Sequence, residues 1–283
     1  MPIFQNKATL SWGGGAVDSN TVTGNLQQTL TLAKTAITQT YSDGSRVTYL
    51  VSIANSGATD YTALTLTDNL GAYTFGAATV YPLVYEAGSV NYFLNGVSAA
   101  APSVGATQPL TFTGLTVPAG GNAILIYSAE VTNFAPLDVG GQITNTVTLG
   151  GTAFAEDLTA SAIVNADEAT DLSIIKALCP TVVQEGGVLN YTFTISNAGN
   201  LDAIATDDLS LTDVFDPAIN ITSVTLNGAA LTEGTDYTYD QATGTFATLP
   251  GVITVPAATF TQNPDGSYSV APGQSVLTVS GTV

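Results

Sequence analysis

The chain has 283 residues, 45% of them hydrophobic, which is enough for about two domains with sizeable cores. Four Lys and Arg residues stand against 22 Asp and Glu residues, and the net charge of −18 argues against nucleic acid and anionic membranes as partners. The chain has no His, which excludes His-based catalytic triads, and its single Cys, Cys179, excludes an internal disulfide.

Short runs of Val, Ile, Leu, Thr and aromatic residues alternate with Gly, Asn, Asp and Pro, a pattern that predicts an all-β chain. No apolar run reaches the 18 residues of a membrane-spanning helix, so we expect no membrane insertion. The opening residues MPIFQNK lack the features of a signal peptide. Either a leader has been removed or the protein assembles without the secretory route.

The two halves of the chain carry the same motifs in the same order. This repetition predicts an N-terminal arm at 1–26 and two tandem copies of one β-domain, at 27–166 and 167–283. Short strands at regular spacing predict an immunoglobulin-like (Ig-like) sandwich for each copy, and one Asn-Gly pair per copy predicts a tight hairpin. The matching segments are LTLAKTAI with LSIIKALC, VTYLVSIANSG with LNYTFTISNAG, LTLTDNL with LSLTDVF, and VPAGGNAILIYSAEV with APGQSVLTVSGTV.

Only the first copy carries a closing segment, ITNTVTLGGTAFAEDLTASAIV at 143–164. We expect the second copy to lack its final strands and to expose an apolar groove beside an unpaired sheet edge. The arm is similar to the closing segment when Asn6 is aligned with Asn145. This alignment predicts that the arm is a donor strand for an open second domain. The predicted donor residues are Phe4, Asn6, Ala8, Leu10 and Val22.

The linkers favour exchange of arms between chains. In the first copy the closing strand leads directly into the second copy, so by analogy the domain that receives the arm precedes the first copy. Such head-to-tail contacts do not close and therefore produce filaments. The alternative is a disordered tail on a truncated chain.

A Lys, an Asp and an Asn recur on inward strand faces, because side chains two residues apart share a face. Burial favours the neutral forms of Lys and Asp. A neutral amine can attack a carboxamide polarised by a protonated Asp and expel ammonia, which leaves a Lys–Asn isopeptide bond. The predicted groups are Lys34, Asp68 and Asn145 within a chain, and Lys176 and Asp213 with Asn6 of a neighbouring chain.

The roles within these groups leave alternatives open. Asp68 and Asp213 are the predicted catalytic acids, and the bonds would join the Lys to the Asn of each group. Glu130 is a competing acid, although its counterpart in the second copy is Thr282. The alternative to a covalent bond is a Lys–Asp salt bridge with the Asn hydrogen-bonded beside it.

The succession of a strand with Lys, xYxxxxxNxG, LTD, a hairpin and ITNTVT resembles the bacterial DUF11 conserved-repeat domain. The resemblance implies an Ig-like sandwich with a structural role in bacterial surface proteins. The opening FQNKATLSW is similar to clostridial members, among which the major proteins of ribbon-like endospore appendages match in size. That likeness implies assembly in the mother cell, with other appendage proteins as further partners. The motif residues are Lys34, Tyr49, Asn55, Gly57, Asp68 and Asn145, then Lys176, Tyr191, Asn197, Gly199 and Asp213.

These features together predict a structural subunit of an extracellular or spore-surface fibre, a head-to-tail homopolymer. We expect no cofactor, no metal and no enzyme activity beyond formation of its own isopeptide bonds. The alternative is a cell-surface adhesin that binds through acidic loops such as Asp202–Asp208 or Asp213–Asp216. These loops lack the DxDxDG spacing of a calcium site. The chain has no LPxTG sorting motif, so sortase anchoring is not expected.

Overall fold

The computed structural model describes residues 3–25, 29–151 and 156–283. Within these ranges the regular secondary structure consists of β-strands and one 3-10 turn, which confirms the prediction of an all-β fold. None of the described segments is a helix with the length and hydropathy needed to cross a membrane. The predicted boundary between the arm and the first domain lies outside the described residues.

Contacts divide the chain into two compact units. The first unit is Met1–Ala135 with Gln142–Asn165, and the second is Pro136–Gly141 with Ala166–Val283. The division therefore groups the arm with the first unit. The predicted domains 27–166 and 167–283 stay a prediction.

The arm is a β-hairpin with one irregularity. Its strands are β1 (Ile3–Asn6), β2 (Thr9–Trp12), β3 (Gly15–Asp18) and β4 (Val22–Asn25). β1 pairs with β4 and β2 pairs with β3. Asn6 pairs with Val22 and Thr9 with Asp18, so the returning strand holds one extra residue, a β-bulge.

The rest of the first unit is a sandwich of two six-stranded sheets, with a separate two-stranded sheet formed by the strands labelled β9 and β10 below. Its strands are β5 (Leu30–Ala36), β6 (Thr40–Tyr41), β7 (Arg46–Asn55), β8 (Tyr61–Asp68), β9 (Tyr73–Phe75), β10 (Ala78–Val80), β11 (Leu83–Tyr85), β12 (Asn91–Leu94), β13 (Val97–Ala99), β14 (Ser103–Thr107), β15 (Leu110–Val117), β16 (Asn122–Val131), β17 (Gln142–Gly150) and β18 (Leu158–Ala166). One sheet has the order β13-β12-β16-β7-β5, with β11 also paired to β16, and the other has the order β14-β15-β8-β17-β18-β6. Alternate residues of these strands, among them Val51, Leu66, Phe112 and Leu125, are buried between the sheets.

The second unit repeats this plan with fewer strands. Its strands are β19 (Leu172–Cys179), β20 (Val188–Asn197), β21 (Thr212–Val214), β22 (Asn220–Leu226), β23 (Ala229–Ala230), β24 (Tyr237–Asp240), β25 (Thr245–Thr248), β26 (Thr259–Gln262), β27 (Tyr268–Ala271) and β28 (Gly273–Thr282). The five-stranded sheet β19-β20-β28-β22-β23 matches β5-β7-β16-β12-β13 strand for strand. The three-stranded sheet β21-β25-β24 matches β8-β15-β14.

Repeated turn residues have repeated conformations. Asn95-Gly96 and Asn227-Gly228 all have positive φ and join paired strands, which confirms the two predicted hairpins.

The Asn of each NxG motif, Asn55 or Asn197, is a buried structural residue. The side-chain oxygen of Asn55 accepts a hydrogen bond from the Gly57 N–H, and its side-chain amide donates to the Thr59 carbonyl.

The first strands of the two sandwiches give a matched test of packing. Leu30 of β5 is 2% exposed, whereas its counterpart Leu172 of β19 is 40% exposed. We expect Leu30→Ala to lower the free energy of unfolding of the first unit by roughly 2–5 kcal/mol. Leu172→Ala should cost the unassembled second unit under about 1 kcal/mol. Native-state hydrogen exchange of the β7 and β20 amides measures both, and equal losses would contradict the difference in burial.

Candidate functional site

The second unit has an open sheet edge where the first unit has two more strands. In the first unit, β17 and β18 lie between β8 and β6. The counterpart of β8 is β21, and among the described residues no strand pairs with the free edge of β21. The counterpart of β6 is the segment 182–183, where Val182 is 86% exposed. We call this two-strand opening the gap.

An open pocket of about 340 Å³, lined mainly by aliphatic residues, lies within the gap. Alternate side chains of β19 point into it, so Leu172 and Ile174 are 40% and 55% exposed. Every residue of β19 except Leu178 is exposed, whereas the inward-facing Leu30, Lys34 and Ala36 of its counterpart β5 are buried. The lining residues are Leu172, Ser173, Ile174, Ile195, Leu209, Ser210, Leu211, Thr212 and Ile253.

The arm has one apolar face and one polar face. The register sets Leu10 opposite Val17 and Asn6 opposite Val22, and directly opposed residues share a face. That face also carries Phe4 and Trp12. Its five large apolar side chains are each 54–68% exposed, namely Phe4, Leu10, Trp12, Val17 and Val22.

The opposite face of the arm is held by polar contacts. Lys7 Nζ lies 2.6 Å from Asp18 Oδ2, and the Thr9 hydroxyl donates to Asp18 Oδ1 at 2.6 Å. These hydrogen bonds hold the pKa of the Asp18 carboxyl below its usual value. The arm therefore has the alternation of a hairpin that covers a core on one side and meets water on the other.

The hairpin β17–β18 of the first unit gives the arm a structural counterpart. Asn145 pairs with Ala162 there, as Asn6 pairs with Val22 in the arm. Ile143, Asn145, Val147 and Leu149 of β17 are all buried. Their counterparts are the predicted donor residues Phe4, Asn6, Ala8 and Leu10, all exposed.

The first unit brings together all three residues of its predicted Lys–Asp–Asn group. Lys34 Nζ donates to Asp68 Oδ2 at 2.7 Å, and both side chains are fully buried. Asn145 Nδ2 contacts the same oxygen at 3.5 Å. The amine and the carboxamide therefore lie within two hydrogen-bond lengths of each other.

Two tyrosines that the sequence reasoning did not place in the site complete it. The Tyr127 hydroxyl donates to Asp68 Oδ2, and Lys34 Nζ lies 4.5 Å from the centre of the Tyr49 ring. The Leu70 N–H donates to Asp68 Oδ1 at 2.7 Å. Tyr127 follows the alternation of buried residues along β16, which is the signal that marks its inward direction.

Burial dominates the electrostatics of this group. It lowers the pKa of Lys34 from 10.5 to about 8, even though the charge and hydrogen bond of Asp68 act to raise it. Burial likewise raises the pKa values of the Tyr49 and Tyr127 phenols, and the Asp68 charge adds to the rise. Asn145 Oδ1 is buried and accepts no hydrogen bond from the described residues. The Asn145 carbonyl oxygen thus lacks a donor, in the same buried group as an amine that burial pushes towards neutrality.

The second unit holds only two members of the corresponding group. Lys176 Nζ donates to Asp213 Oδ2, but these side chains are 41% and 17% exposed. The aromatic contact is kept, with Lys176 Nζ 4.7 Å from the centre of the Tyr191 ring. Asn6 lies on the exposed arm. Tyr127 has no hydroxyl counterpart, because Val279 pairs with Tyr191 as Tyr127 pairs with Tyr49.

The other candidate groups do not form a site. Glu130 is exposed and pairs across the sheet with Arg46, so it lies away from Lys34. In the acidic loops, Asp202 Oδ1 accepts from the Ala257 N–H and Asp207 Oδ2 from the Ile204 N–H. Across the described ranges, no three carboxylate, His or Cys side chains group as metal ligands would.

Comparisons with known proteins give fold likeness only. No family model matches the chain, and no curated protein matches it. The chain is similar to BcpA, the major pilin subunit of Bacillus cereus, at 12% identity and a TM-score of 0.36, covering 96% of this chain and 73% of that one. The pilus backbone of Streptococcus pneumoniae matches at 13% identity and a TM-score of 0.35, covering 90% of this chain and 51% of that one.

A collagen-binding domain from a Staphylococcus aureus adhesin matches at 11% identity and a TM-score of 0.31, covering 46% of this chain and 95% of that one. The chain spans about half the length of the pneumococcal pilus backbone. Sequence identities and TM-scores this low establish no shared activity. The DUF11 resemblance rests on the sequence motifs alone.

The lowered pKa of Lys34 predicts how stability depends on pH. Its folded pKa of about 8 lies below the unfolded value of 10.5, so the unfolded chain binds more protons between these values. The contribution of Lys34 is fully present above pH 10.5 and is lost as the pH falls through 8. From pH 8 to pH 10 we expect the free energy of unfolding of the first unit to rise by roughly 2 kcal/mol.

Urea unfolding at pH 8, 9 and 10 measures this slope in chains whose intact mass shows an unreacted amine. The matched control replaces both partners with apolar residues, Lys34→Met with Asp68→Leu, because removing one partner would leave a buried charge. The control should lack the slope. An equal slope in both proteins would show that Lys34 is not its source.

Proposed function

We propose that the chain is a structural subunit of a fibre on the cell or spore surface, which polymerises when the arm of one copy enters the gap of another. This proposal rests on a match between the gap and the arm, which agree in their number of strands and in their apolar character. The gap is two strands wide and apolar on its inner side. The arm is two strands wide and apolar on one face.

The register of the first unit can be carried over to the second. Val147 pairs with Asp68 and Leu149 with Leu66. The same register would set Ala8 opposite Asp213 and Leu10 opposite Leu211. Asn6 would then face Lys176 and Asp213 as Asn145 faces Lys34 and Asp68. The donor strand thereby completes the second Lys–Asp–Asn group between chains.

Apolar burial alone would make this contact reversible. Roughly half to two-thirds of each of the five large apolar side chains is exposed, so covering them gives roughly 5–10 kcal/mol before entropy losses. Association costs about 4–15 kcal/mol. New backbone hydrogen bonds along β21 add to the gain, and a covalent bond would remove the reverse step.

The cross-link follows from the chemistry of the group. Transfer of the ammonium proton from Lys to Asp leaves a neutral amine and a carboxylic acid. In the first unit Asn145 Nδ2 faces Asp68, so the carboxamide first turns its Oδ1 towards the acid. The amine Nζ then attacks Cγ of the Asn while the acid polarises this oxygen. The Nζ–Cγ bond forms, the Cγ–Nδ2 bond breaks, and one ammonia leaves. Asp68 serves the Lys34–Asn145 bond, and Asp213 serves the Lys176–Asn6 bond between chains.

Adjacent residues of β19 test assembly with a matched pair. Ile174 points into the gap and Ile175, 69% exposed, points away from it. We expect Ile174→Glu to abolish filaments, because it places a charge in the apolar contact. Ile175→Glu should assemble normally.

Sedimentation and electron microscopy of both variants measure the outcome. Deletion of residues 1–24 should likewise give monomers. Filaments from Ile174→Glu or from the deletion would contradict insertion of the arm into the gap.

The cross-links are tested by mass. A chain with the Lys34–Asn145 bond should be lighter than its sequence mass by one ammonia, and Asn145→Ala should restore the full mass. Asn6→Ala should abolish a ladder of multimers in boiling detergent, whereas Gln5→Ala, on the opposite face of the same strand, should keep it. An unmodified Lys34 and Asn145 at the full sequence mass would contradict the bond within a chain. A ladder that persists in Asn6→Ala would contradict the Lys176–Asn6 bond between chains.

A further inference from the structure

Trp12 stands one step beyond the part of the arm that has a counterpart in the first unit. It shares the apolar face with Leu10 and lies at the turn of the hairpin, over Gly14 and Gly15. The aligned position in the first unit is Gly151, so closure of a sandwich by β17 uses no large side chain here. Trp12 is nevertheless 58% exposed, a high value for an aromatic residue of this size.

The register places Trp12 beside the apolar pocket. Gly150 pairs with Thr65 and Leu149 with Leu66 in the first unit. Continuing that register in the second unit sets Ser11 opposite Ser210 and Trp12 opposite Leu209. Leu209, Leu211 and Ile174 line the pocket of about 340 Å³, which lies at the lower end of the range for ligand pockets.

We propose that Trp12 is the anchor residue of the arm and that this pocket, on a second copy of the chain, is its receptor. The inference rests on the proposed function, because it names the contact that fixes the register of the arm in the gap. A buried aromatic anchor in a central pocket is the usual hot spot of a protein interface. Seating the anchor in the pocket also places Asn6 at Lys176, since a slip of one residue would turn both side chains outward.

Loss of the anchor has a measurable effect on assembly. Trp12→Ala should raise the concentration needed for filaments by about 30-fold or more, as for other interface hot spots. The matched control is Ser11→Ala, the adjacent residue on the polar face of the arm, which should change it by less than about threefold. Equal effects of the two substitutions would overturn the anchor role.

The composition of the chain allows the docked position to be measured directly. Trp12 is the single Trp, and Cys179 is the single Cys, free and exposed at the end of β19. Cys179 lies five positions along β19 from Ile174 of the pocket, about 17 Å in a strand. A Trp12→Phe chain labelled at Cys179 with a fluorophore that accepts Trp emission serves as receptor. It is mixed with the unlabelled, unsubstituted chain.

Three outcomes are distinguishable. Assembly with energy transfer and a shift of Trp12 emission to shorter wavelength supports the inference. Assembly in which Trp12 stays open to iodide quenching and transfers no energy overturns the anchor and leaves the fibre standing. Absence of assembly at every concentration overturns the proposed function and the inference with it.

Discussion

The free edge of β21 and the apolar groove beside it are the constraint on which the rest of the molecule depends. In the first unit β17 pairs with the corresponding edge of β8, and β18 pairs with β17. Leu64 and Leu66 of β8 are buried there, and so are the side chains of Lys34 and Asp68. In the second unit the same fold keeps Leu172, Ile174 and Lys176 in contact with water. Among the described residues, the second unit thus has the sheets of the first without strands that correspond to β17 and β18.

The arm has the complementary feature, an apolar face that nothing in its own hairpin covers. A two-stranded hairpin alone is marginally stable in water, and this one exposes five large apolar side chains on a single face. Its polar face, with Lys7, Thr9 and Asp18 in contact, is already satisfied. Closing the gap with the arm would bury apolar surface on both partners and pair both free edges. Polymerisation then follows from one fold with an exchanged element.

The alternation of apolar residues along the strands correctly predicted which side chains of the first unit point inward. Lys34, Asp68 and Asn145 come together because each sits on the inward side of a strand whose neighbours are apolar. The hairpin register of the arm, with Val17 opposite Leu10, could not be predicted, because the bulge that realigns the returning strand carries no distinctive residue. Tyr127 was missed because its role depends on which strand crosses above Asp68. The pocket beside Leu209 was missed because residues from four separate segments of the chain form it.

The central claim is that an arm from another copy fills the gap of the second unit. Electron cryo-microscopy of the assembled protein tests this most directly. The account predicts two added strands between β21 and the segment 182–183, with Asn6 at Lys176 and chain continuity leading to a different subunit. The account would be contradicted by an assembled fibre in which the gap stays empty, or in which the arm of the same subunit or another segment fills it.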